Sequence, residues 1–155
     1  MARDAAMKTG LRRRALLQWG GAGLLALQLR PARATAFEMQ SAIANYAGGA
    51  PVKPGKVTFD IPPLVENGNG VPVAVRVDSP MTAADHVTGI AIFNERNPQR
   101  DVVRFSLGPR AGRAQVSTRI RLATSQQLVA VARLSDGTYW SHSVDVLVTL
   151  AACLE

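Results

Sequence analysis

One sulfur nucleophile stands in the chain, Cys153, two residues before Glu155. A thiolate attacks electrophiles and other sulfurs, and an unpaired thiol in an oxidising compartment reacts with something external. The other candidates carry less chemistry. With one cysteine and two histidines, His86 and His142, the chain cannot build a zinc finger, an iron–sulfur site or a disulfide framework, and no metal or cofactor is expected. His142 follows Trp140 by two positions and could pair with Asp145, but no nucleophile accompanies it, which makes a structural or surface histidine the plainer reading. Asp78 and Asp85 flank Ser79-Pro80-Met81-Thr82, where turn formation accounts for them more simply than acid–base work. Arg119 and Arg121 project from one side of an expected strand, with Arg133 placed on a neighbour. Together they could attract an anion or dock a partner, or form an ordinary solvated sheet face. No glycine-rich phosphate loop, H-E-x-x-H or G-x-S-x-G pattern occurs.

Charge has to be read by region. The formal charge is +7, yet seven of the 18 basic residues and one of the 11 acidic residues fall before Thr35. The remainder is nearly neutral, and in a chain with 5% aromatic residues it offers no basic, aromatic-interleaved nucleic-acid surface. The leader itself reads as an export signal: Arg12-Arg13-Arg14, then an apolar stretch from Ala15 to Leu29. That stretch is 15 residues long, below the ~20 a membrane-spanning helix needs, so no stable anchor is expected. Arg13-Arg14-x-Leu16-Leu17 resembles a twin-arginine motif, and small-x-small cleavage sites follow at Ala34 and Ala36. The expected division is residues 1–34 (or 1–36) as a removable signal, 37–150 as the domain, and 151–155 as an arm.

The elements that must position Cys153 follow from periodicity. Phe37 to Ala47 spaces Phe37, Met39, Ile43, Tyr46 and Ala47 as a short helix, which Gly48-Gly49-Ala50-Pro51 stops. From Lys56 onward the period is two. Strands are expected at 56–61, 71–77, 87–93, 102–107, 116–122, 127–134 and 144–150. Turn residues separate them, among them Asn67-Gly68-Asn69-Gly70, Asn97-Pro98 and Asp136-Gly137, the last suited to a type I′ hairpin. About seven short antiparallel strands after one short helix specify an all-β, immunoglobulin-like sandwich without paired cysteines.

At this level of detail the chain resembles the SoxY family, sulfur carriers of the periplasmic Sox thiosulfate-oxidising system. The resemblance rests on Val65-Glu66-Asn67-Gly68, Val71-Pro72-Val73, Val77-Asp78-Ser79-Pro80-Met81-Thr82, Val116 to Ala123, Leu134-Ser135-Asp136-Gly137, the twin-arginine leader and a C-terminal cysteine arm. SoxY arms read Gly-Gly-Cys-Gly-Gly, whereas this one reads Ala151-Ala152-Cys153-Leu154-Glu155. It is more similar to a SoxY-related paralogue group whose arm reads Ala-Ala-Cys-Ile-Glu, so the cargo cannot simply be copied.

What the resemblance implies is a non-enzymatic periplasmic carrier whose Cys153 holds a covalently bound sulfur species on a swinging arm. The implied partners are a SoxZ-like subunit forming a heterodimer, a cytochrome or other oxidant, and sulfur-processing enzymes. Alanines at 151 and 152 make the arm stiffer than glycines would. Leu154 adds an apolar contact, and Glu155 places negative charge near the thiol, which disfavours the thiolate. The competing expectation is an interaction module whose cysteine forms a partner disulfide or senses redox state.

Overall fold

The structure, a computed structural model, describes residues 33–152. Arg13 and Arg14 of the expected signal, and Cys153, Leu154 and Glu155 of the expected arm, lie outside the described residues. Among the described residues no helix is long and apolar enough to cross a membrane.

Helix α1 covers Arg33–Tyr46 and therefore starts before the expected Phe37. Met39 and Ile43 are buried on one face, with Ala47 buried just past the helix end. Phe37, counted with that face from sequence, is instead 73% exposed, because two residues turn a helix by about 200° and put Phe37 opposite Met39. Gly48 and Gly49, at φ +61° and +81°, end the helix in the left-handed conformation that glycine adopts most cheaply.

Nine strands follow: β1 (Val52–Pro54), β2 (Val57–Asp60), β3 (Leu64–Val65), β4 (Val71–Val77), β5 (Val87–Asn94), β6 (Asp101–Ser106), β7 (Gln115–Ile120), β8 (Gln126–Leu134) and β9 (Tyr139–Val148). The larger sheet runs β1-β9-β8-β5-β6, with β3 also on β9; the smaller runs β2-β4-β7. The seven expected strands are β2 and β4 to β9. The two additions, β1 and β3, pair parallel with the start and the end of β9, so the all-antiparallel expectation is corrected at that edge.

Strict alternation in β4 puts Val71, Val73, Val75 and Val77 inward and Pro72 and Arg76 outward. Between the sheets these valines meet Phe59, Ile90, Ile92, Leu122, Leu128 and Val146. Strands β5 and β8 read as nearly unbroken apolar runs because both faces are covered. On the far face α1 packs Met39 and Ile43 against Ala91, Phe93, Val129 and Val131. Tyr46 closes that second core edge-on to Phe93 at 5.7 Å and Tyr139 at 5.9 Å, and its half-burial raises the phenol's pKa.

The Asp136-Gly137 turn differs from the type I′ expectation. Only Gly137 has positive φ, at +80°. Gly137 N–H donates to the Leu134 carbonyl at 3.1 Å, and Leu134 N–H to the Thr138 carbonyl at 3.0 Å. That is a three-residue loop, a right-handed turn followed by a left-handed glycine, which also matches the strand twist.

Candidate functional site

The last strand delivers the chain to one end of the sandwich. Strand β9 stops at Val148, two residues before the expected end, and Leu150 is 60% exposed rather than on the core face. From there the backbone is fastened step by step. Thr149 N–H donates to the Val65 carbonyl at 3.0 Å, Leu150 N–H to the Glu66 carbonyl at 3.2 Å, and Gly68 N–H to the Leu150 carbonyl at 2.8 Å. Leu122 N–H donates to the Gly68 carbonyl at 2.9 Å, and Ala152 N–H to the Leu122 carbonyl at 3.0 Å. Ala151 is exposed; Ala152 is buried, at 8% exposure. The described part of the arm is thus tied to the body, and Cys153 follows immediately after the last tie.

The tie has its own support. Asn97, expected only as a turn residue, is buried at 8% exposure. Its Oδ1 accepts from Ala123 N–H at 3.0 Å and from Gln126 Nε2–H at 2.8 Å, while its Nδ2–H donates to the Arg121 carbonyl at 2.8 Å. Asn94 Oδ1 in turn accepts the Asn97 N–H at 2.9 Å. These fully paired amides brace residues 121–126, the crossover carrying Leu122, and a buried polar network of this kind holds one geometry firmly. The sequence offered the Asn97-Pro98 pair as a break but nothing to mark Asn97 as buried.

The arginines separate. Arg119 lies in β7 and lines a shallow groove on the outer face of the smaller sheet with Asp60, Pro62, Pro72 and Ser117. Arg121 lies past the strand end and lines a different cavity, of about 300 Å³, with Asn94, Asn97, Gln99 and Asp101. Arg133 is on β8 in the other sheet, where its Nε–H donates to Thr88 Oγ1 at 2.8 Å. Arg119 and Arg121 both stay exposed, flanking buried Ile120 and Leu122 as the expected alternation requires; what is corrected is the placing of Arg133 on a neighbouring strand, because β7 pairs with β4 and β8 belongs to the other sheet.

His142 is exposed and does not pair with Asp145. Its Nδ1 accepts the Phe59 N–H at 2.9 Å, satisfying the outer edge of β2, while Asp145 Oδ1 takes Gln127 Nε2–H at 3.3 Å. On a strand, residues three apart point to opposite faces, which is why the pair fails. Between Asp78 and Asp85 the segment is a turn: Thr82 N–H donates to the Asp85 carbonyl, and Asp85 N–H to Thr82 Oγ1. Among the described residues no three His, Cys, Asp or Glu side chains are grouped to hold a metal ion.

The family model described as sulfur oxidation protein SoxY matches residues 43–153, a span that ends on the cysteine. Among solved structures, the sulfur carrier protein SoxY from Chlorobium limicola f. thiosulfatophilum is 31% identical with a TM-score of 0.63, over 74% of this chain and 99% of that one. A superoxide reductase (neelaredoxin) from Ignicoccus hospitalis is 20% identical at TM-score 0.55, over 62% of this chain and 82% of that one. A superoxide reductase from Nanoarchaeum equitans is 11% identical at 0.53, over 62% of this chain and all of that one. At these identities the two reductases share the sandwich alone. No curated protein matches the chain in sequence.

Proposed function

The chain belongs to the SoxY family, and from that premise we propose that it is a periplasmic carrier that holds sulfur intermediates covalently on Cys153 while partner enzymes process them. The single observation that carries this reading is the reach of the family match to Cys153, the only thiol in the chain. The described structure is consistent with it: the backbone of residues 149–152, which leads to Cys153 in sequence, is fastened to the sandwich by hydrogen bonds with Val65, Glu66, Gly68 and Leu122.

Loading joins the thiol to a sulfur anion R–S⁻. A sulfur–sulfur bond forms, the thiol proton goes to solvent, and two electrons pass to an external acceptor, a cytochrome or other oxidant. The negative charge of Glu155 opposes both the thiolate and an anionic adduct, so partner sites serving this arm supply compensating cations. Export proceeds through the twin-arginine route, directed by Arg13 and Arg14. That route moves folded proteins and so allows a SoxZ-like subunit to be carried across in a heterodimer. The outer face of β2-β4-β7, where Pro72, Arg76 and Arg119 are exposed among the described residues, supports presentation of one sheet to that subunit.

Intact-mass analysis of the protein taken from its native periplasm tests the reading. A sulfur-containing mass excess that vanishes in Cys153→Ala supports a carrier. A species cross-linked to another protein, with no small adduct, would instead establish the interaction-module alternative.

A further inference from the structure

Four residues, Thr149 to Ala152, separate β9 from the carrier cysteine, and left free they would tether it over roughly 13–14 Å of extended chain. They are not left free. Backbone hydrogen bonds from Thr149, Leu150 and Ala152 hold them to Val65, Glu66, Gly68 and Leu122, at 2.8–3.2 Å. The side chain of Leu150 meanwhile points to solvent, 60% exposed, so the backbone and not apolar burial fastens that residue.

Gly68 sits at the centre of this seat. It is buried, and its φ lies outside the left-handed region, so no turn geometry demands glycine there. Space demands it. A Cβ at position 68 would collide with the Leu122 carbonyl oxygen and stand 3.0 Å from the Ala152 nitrogen and 3.3 Å from the Leu150 carbonyl oxygen. All three are backbone atoms, none able to swing aside as a side chain would. Leu122 is fully buried in the core and held on its C-terminal side by the Asn97 network, so it cannot retreat. Any side chain at 68 must displace either its own loop or the arm root.

We propose that Gly68 is a positioning residue for the carrier thiol: it lets the 66–70 loop close on the arm root, making Ala152, rather than the end of β9, the pivot about which Cys153 moves. The inference rests on the carrier reading and adds to it the length and origin of the swing. A fastened root leaves less chain to order when the thiol enters a partner's cleft, and it fixes the side from which cargo is presented. Partner active sites must then come to the sandwich end formed by segments 66–70, 94–100 and 121–126.

Backbone relaxation and amide exchange on the mature chain test this, followed by the same measurements on Gly68→Ala. In the native sequence the Ala152 amide is expected to be as ordered as β9, with an order parameter near ~0.85, and mobility to begin after it. In Gly68→Ala its order parameter should fall below ~0.6 and its exchange quicken about tenfold, while Val75 and Ala130 keep their protection. The fraction of Cys153 carrying an adduct in the native host should also drop, a readout that an unchanged fold would not move. An Ala152 amide already flexible in the native sequence overturns the proposal, and this measurement decides even if Gly68→Ala does not fold. Unchanged order at Ala152 in a folded Gly68→Ala overturns it as well. Both results leave the carrier reading standing if Cys153 is loaded, whereas an unloaded Cys153 beside an ordered Ala152 would count against that reading alone.

Discussion

Asp136 closes the hairpin between β8 and β9 by accepting the Thr138 N–H at 2.8 Å and the Thr138 hydroxyl at 2.7 Å. The hydroxyl bond first, then the amide bond, favours the ionised carboxylate and lowers its pKa. A carboxylate depressed in the folded state stabilises that state above its unfolded value, and the contribution is lost as pH falls through the folded value. The Thr138 amide shift should therefore titrate on the acid side of the ordinary carboxylate range, and Asp136→Asn should remove that titration. A titration that survives in Asp136→Asn would assign it to another group. The Asp136-Gly137 turn was legible from its residue types, though its backbone form was not, since two adjacent turn residues do not say which of them takes positive φ. Gly68 shows the opposite case. Sequence marks it as a turn glycine, but what requires it is the absence of a Cβ against Leu122 and Ala152, which lie 54 and 84 positions away.

Between elements, α1 fits closely against the larger sheet at Gly89. A Cβ on Gly89 would lie 2.9 Å from the Tyr46 hydroxyl, and the Tyr46 ring is held edge-on by Phe93 and Tyr139, so it cannot swing clear. Gly89→Ala should cost about 1–3 kcal/mol, the usual penalty for overfilling a packed site. Adding Tyr46→Phe removes the clashing oxygen and should restore most of the loss in a denaturant melt. A double variant no more stable than Gly89→Ala alone would place the strain elsewhere. His142 supports a second expectation, because it closes the β2 edge through one bond. His142→Ala should speed exchange of the Phe59 amide about tenfold, the weight of a single net hydrogen bond, without altering the β8 amides. Legibility at this scale followed element length. The period-two strands and the Met39/Ile43 face of the helix were readable, whereas β1 and β3, three and two residues long, have no period to read and exist only through parallel pairing with β9. The placement of Arg133 beside Arg119 failed for a different reason, since alternation along a strand does not say which strand pairs with it, and β7 and β8 lie in different sheets.

For the whole molecule, the account requires two things the sandwich alone does not supply: passage out of the cytoplasm and a thiol that visiting enzymes load. Replacing Arg13 and Arg14 together by lysine should leave the unprocessed protein in the cytoplasm, as cell fractionation would show; normal export of that variant would rule out the twin-arginine route. Cys153 drew attention by residue type alone, and fold class was legible because it is written in alternation. The seat around Ala152 was not, because it is assembled by backbone groups from three loops whose sequences give no sign that they meet. The most direct measurement of the central claim is the mass of the C-terminal tryptic peptide Leu134 to Glu155, isolated without reductant from the native periplasm. The account predicts a sulfur-containing mass excess on Cys153 that reductant removes. A peptide found only unmodified, or only joined to another protein's cysteine, would contradict it.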